Sequence, residues 1–73
     1  MFDNMIEVFK TDVQDIERSK LLINKLTRKI PGGIINFDLE DCDKILRVES
    51  AGFSPETVIK LLNNHGQYCE ILY

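Results

Sequence analysis

The sequence is short of the residues on which most protein chemistry depends. Its two cysteines, Cys42 and Cys69, do not make a disulfide framework. Its one histidine, His65, has no Ser–His–Asp or Cys–His arrangement around it, which excludes the common nucleophilic machinery. There is no glycine-rich phosphate loop, because Gly32-Gly33 follows a helical pattern and does not open one. No apolar run approaches transmembrane length, and Met1-Phe2-Asp3-Asn4 lacks the basic segment and apolar stretch of a signal peptide. Basic residues are outnumbered, 9 against 12 acidic, for a net charge of -3. That balance argues against a nucleic-acid partner, since phosphate binding draws on clustered Lys and Arg. The cations that do cluster, Lys20, Lys25, Arg28 and Lys29, fall along one amphipathic helix and read as its solvated face. Linkers, repeats and low-complexity segments are also missing. These absences predict a cytoplasmic chain that is not an enzyme, needs no cofactor, and engages neither membrane nor nucleic acid.

What is present is enough for one domain over residues 1–73. Hydrophobic residues make up 44% and charged residues 29%, a balance that suits a packed globule and not a disordered chain. A domain of this size buries only about 60% of the surface of its unfolded chain. Its stability should be on the order of 4–10 kcal/mol, with little material for a deep cleft.

The apolar pattern divides the chain into six elements. Asn4 to Lys10 reads as a strand, with Ile6 and Val8 on one face and Glu7 and Phe9 on the other. Thr11 or Asp12 is expected to cap the helix that follows. That helix runs from Ile16 to Ile30, with Ile16, Ile23, Leu26 and Ile30 on its apolar stripe and Leu22 at the edge. Pro31-Gly32-Gly33 ends it. Ile35 to Glu40 and Lys44 to Ser50 form a hairpin across Asp41-Cys42-Asp43, with Ile35, Phe37, Leu39, Leu46 and Val48 inward. Ser54-Pro55-Glu56 starts a second helix, in which Val58, Leu61, Leu62 and His65 share a face and Gly66 stops the run. Gln67 to Tyr73 completes the set as a strand. The order predicts an α+β, ferredoxin-like βαββαβ fold, a four-stranded antiparallel sheet with both helices on one face.

The stretch from Ser54 to Gly66, the Arg28-Lys29-Ile30-Pro31-Gly32 turn and Phe37-Asp38-Leu39-Glu40 resemble the heavy-metal-associated (HMA) domain of copper chaperones and metal-transport ATPases. That family holds its metal with a Cys-x-x-Cys pair in the first loop and the start of the first helix, two thiolates suited to copper(I) or zinc. Counting back from Pro31-Gly32 places the two positions on Ile16 and Ser19, with Glu17 and Arg18 between them. Neither residue is a thiolate, so the resemblance implies the fold and the departure removes the standard metal site. Asp12, Asp15, Cys42 and His65 fall at the same end of the traced fold and are the candidates for a displaced site. Cys42 stands between two acids that disfavour its thiolate, and Cys69 reads as a small core residue.

The leading expectation is a non-catalytic domain used for contact with a protein partner or as a homodimer. Its surfaces to test are the first loop, the hairpin turn and the residues around Gly66. Three alternatives accompany it. One is a copper or zinc carrier with non-standard ligands. Another is an RNA-recognition-like module stacking bases on Phe9 and Tyr68, although Glu7, Asp38, Glu49 and Glu70 would share that face. The last is a regulatory module for a small ligand.

Overall fold

The alternating and helical patterns become six elements in the computed structural model, which describes residues 4–40 and 42–73. They are β1 (Met5–Thr11), α1 (Ile16–Lys29), β2 (Ile34–Asp38), β3 (Ile45–Ser50), α2 (Pro55–Asn64) and β4 (Cys69–Ile71). Met1-Phe2-Asp3 and, within the expected hairpin turn, Asp41 lie outside the described residues.

The strands form one antiparallel sheet in the order β2-β3-β1-β4. β1 and β2, joined through α1, enclose β3; β3 and β4, joined through α2, enclose β1. Each βαβ unit is thus split by a strand of the other, which is the expected ferredoxin-like α+β arrangement. Ile35 and Phe37 of β2 pair with Val48 and Leu46 of β3, and these pair with Glu7 and Phe9 of β1. Phe9 and Thr11 in turn face Ile71 and Cys69 of β4. Side chains opposite one another in register share a sheet face. Both helices cover this one, with Leu22, Leu26, Val58, Leu61 and Leu62 completing the core.

Two expectations about facing are corrected here. On β1 the buried side is that of Phe9 and Thr11, whereas Ile6 is exposed and Val8 half-buried on the opposite face. Phe9 is fully buried, and Glu7 shares its side at the less enclosed start of the strand. Thr11 tolerates burial because its hydroxyl donates to Lys44 O at 2.6 Å and accepts from Val13 N at 3.2 Å. On α1 the buried stripe is Ser19, Leu22 and Leu26, leading to Ile30, and Ile16 is 64% exposed in the first turn. Ser19 buries without an orphan group, since its hydroxyl donates to Ile16 O at 2.6 Å.

The ends of the elements have physical causes. Asp15 caps α1, its carboxylate accepting from Arg18 N at 2.7 Å. Neither Thr11 nor Asp12 fills the expected capping role. Ile30-Pro31-Gly32-Gly33 closes as a turn through Gly33 N donating to Ile30 O, with Gly32 at φ +78°. A side chain on Gly33 would meet the Ile30 side chain at 2.9 Å, so the chain needs a glycine there to enter β2. Ser54 is the N-cap of α2 without a side-chain bond, and Pro55 opens the helix. At the far end, Gln67 N donates to Leu62 O and Gly66 N to Asn63 O, with Gly66 at φ +78°: a Schellman cap. β3 begins one residue later than expected, because Lys44 adopts φ 48°. β4 is three residues long, shorter than the Gln67–Tyr73 run.

The facing of β1 makes a direct prediction. Phe9→Ala should cost about 3–5 kcal/mol in urea unfolding, a large share of the stability of so small a domain. Ile16→Ala should stay within about 0.5 kcal/mol. Equal costs would contradict the assignment of both residues.

Candidate functional site

The first loop, the hairpin turn and the loop after α2 meet at one end of the sheet. Thr11 N donates to Asp43 O at 3.2 Å, and Lys44 adds a bond from its ammonium to Leu39 O at 2.8 Å. Asp12 Oδ1 accepts from Gln67 Nε2 at 2.6 Å and from Tyr68 N at 2.8 Å, clasping the end of β1 to the approach to β4. Lys10 and Asp43 form an ion pair at 3.9 Å.

This is the end where the sequence places candidate ligands, and the fold does not assemble them into a donor set. Asp15 is committed to the α1 cap, and Asp12 to the Gln67–Tyr68 clasp. His65 Nδ1 donates to Leu61 O at 2.9 Å, one turn back on α2. Cys42 is exposed in the hairpin turn. Among the described residues, no three His, Cys, Asp or Glu side chains stand close enough to hold a metal ion. At the two positions that the HMA resemblance assigns to thiolates, Ile16 is exposed and the Ser19 hydroxyl is bonded to backbone. Cys69 is buried, and burial, helped by the charges of Asp12 and Glu70, pushes its thiol up to about 12. A thiol held protonated in the core is a poor nucleophile at neutral pH.

A different surface stands out. The sheet face turned away from the helices carries Ile34 and Ile6 in line with Glu49. Beside them run Asn36, Arg47 and Val8, the last bonded through its carbonyl to Leu72 N at 2.8 Å. The next row is Asp38, Ile45, Lys10 and Glu70. Tyr68 follows, its phenol raised above its ordinary value by hydrogen bonding to Glu70 and by that carboxylate's charge. Ile6, Ile34, Tyr68 and Leu72 are each 39–55% exposed, on a face that no described element covers. The sequence signal for this patch was available in Ile6 and Val8, but it points inward unless Phe9 claims the core. Phe9, expected on this face as a stacking platform, is on the other side.

Comparison with protein-family models, with curated proteins and with solved structures gives no match to this chain. Among the described residues no helix is long and apolar enough to cross a membrane.

Two outcomes follow from this geometry. A thiol reagent at mildly alkaline pH should label Cys42 in the native protein and Cys69 only after unfolding; rapid native labelling of both would contradict the burial. Because the Cys69 thiol is raised from 9.0 to about 12 on folding, its contribution to stability is full below its unfolded value and is lost as pH climbs toward its folded one. The decline of stability on the alkaline side should therefore be shallower in Cys69→Ala than in the parent, measured by urea unfolding across that range.

Proposed function

We propose that this chain is a non-catalytic protein-interaction module, an HMA-like scaffold without the thiolate pair, that docks a second copy of itself through the open face of its sheet. One observation carries this reading: Ile6, Ile34, Tyr68 and Leu72 lie exposed together on a face no described element covers. Ile6, Val8 and Leu72 adjoin on it, while Ile34 lies across Glu49 and Tyr68 beyond Glu70, and apolar surface left open in this way marks contact sites.

The charges on the same face support a copy of the chain as the occupant. Lys10 and Arg47 are interspersed with Asp38, Glu49 and Glu70, so neither sign dominates. A two-fold contact brings one patch against itself, and a mixed patch does so without a large like-charge penalty. Four strands of three to seven residues give a face of roughly 300–400 Å² in plan. Two such faces together amount to roughly 600–800 Å² in plan, below the size of a standard stable interface. The dimer is therefore weak and reversible. Base stacking is disfavoured on this face, because Tyr68 is its aromatic residue among those described, the Glu70 carboxylate stands beside it, and Asp38 and Glu49 add negative charge further across the sheet. A metal-carrier role is disfavoured by the dispersal of Asp12, Asp15, Cys42 and His65 into separate local bonds and turns.

Sedimentation equilibrium tests the proposal. The protein should show a monomer–dimer equilibrium in roughly the 10–500 μM range expected of a small interface. Ile6→Glu with Ile34→Glu should abolish it, and Ile16→Glu, on the helix side, should leave it intact. A monomer throughout that range, or association indifferent to the Ile6/Ile34 pair, would overturn the proposal.

A further inference from the structure

The helix side of the molecule carries a second feature, independent of the open face. A groove of about 480 Å³ runs between the C-terminal half of α1 and α2. Lys25, Arg28 and Lys29 line it from α1, and Lys60, Thr57 and Asn64 from α2. Four of the chain's nine Lys and Arg residues thus border one concavity, in a protein of net charge -3, and among the described residues no carboxylate lines it. Among the described residues none of these four cations has an ion-pair partner.

A solvated helix face explains only part of this. Arg28 and Lys29 occupy the last turn of α1, where they complement the helix dipole. Lys25 stands outside that last turn, and Lys60 lies in the middle of α2, whose own last turn has no basic residue. Helix-end electrostatics therefore do not account for the convergence of both helices' cations on the groove. Unpaired like charges gathered in a concavity raise its potential against the sign of the whole chain.

We propose that this groove binds a small phosphorylated molecule. The Arg28 guanidinium presents a planar fork that matches two phosphate oxygens, and Lys25, Lys29 and Lys60 supply compact point charges. The Thr57 hydroxyl and Asn64 amide are suited to the uncharged oxygens of such a ligand. The volume falls within the usual range of small-molecule sites. An extended polyanion fits less well, because Glu17 and Glu56 are exposed on the same two helices and would oppose a polymer or membrane reaching past the groove. The groove and the open sheet face lie on opposite sides, so a dimer formed through the sheet leaves both grooves accessible.

Titration of the full chain with inorganic pyrophosphate and with ATP, followed by amide NMR shifts and calorimetry at low ionic strength, is the test. Saturable binding is expected, with the largest shifts at Lys25, Arg28, Lys29 and Lys60. Arg28→Gln with Lys60→Gln should weaken it by about tenfold or more, as loss of charge-assisted bonds does. Arg18→Gln with Lys20→Gln removes the same charge from α1 outside the groove and should change the affinity less than about twofold, the effect of remote screened charge. Thermal melts confirm that both variants fold, as expected for exposed positions. No saturable binding of either probe, or equal weakening by the two double variants, overturns the proposal. So does tighter binding to vesicles containing phosphatidylserine or to a single-stranded RNA oligomer than to pyrophosphate, since either assigns the cations to a macromolecular anion.

Discussion

The structure depends on which way one central strand faces. β1 lies between β3 and β4, and its side chains alternate strictly across the sheet. With Phe9 on the helix side, in register with Leu46 and Ile71, the rows Ile35–Val48 and Phe37–Leu46 fall on the same side and form a continuous floor beneath both helices. A slip by one residue would put Ile6 and Val8 under the helices and turn Phe9 out. The face left open would then carry different side chains, and the surface proposed for self-association would not exist. The identity of the exposed patch is therefore a consequence of how the core is filled.

A second constraint acts at the loop end. Thr11 and Asp12 spend their polar groups on three separate segments: Thr11 on the hairpin turn and Val13, Asp12 on Gln67 and Tyr68. Asp15 does the same for the first turn of α1. In the family the sequence resembles, this end is where a metal would be held. Here its oxygens make hydrogen bonds at turns and caps, a use that ties three loops together. The open sheet and the groove between the helices are left free of these bonds, which is what the two proposed contacts require.

Much of the architecture was legible in the sequence because several local signals agreed. Pro31-Gly32-Gly33 and Gly66 end helices through turn geometries that favour glycine, and Pro55 starts one. Ile35, Phe37, Leu46 and Val48 alternate without ambiguity. β1 was different: in Met5-Ile6-Glu7-Val8-Phe9-Lys10-Thr11 both parities offer apolar residues, and the correct one buries a threonine and includes a glutamate. Only tertiary bonding to Lys44 O makes Thr11 acceptable inside. Ser19 was hidden for a similar reason, since its bond to Ile16 O lets a polar residue take the stripe position that Ile16 leaves. The cationic groove was visible only in half, because Lys25, Arg28 and Lys29 read as a solvated face until Lys60 of the other helix is seen across from them.

The facing of β1 can be measured in solution without altering the chain. In a carbon-edited nuclear Overhauser spectrum, the Phe9 ring should contact methyl groups of Leu22, Leu26, Val58 and Leu62, the helix members of the core. Ile6 should show no contact with helix methyls, and Val8 should contact Leu72 across the open face. Contacts from Ile6 and Val8 to the helices, with the Phe9 ring isolated from them, would contradict the account at its foundation.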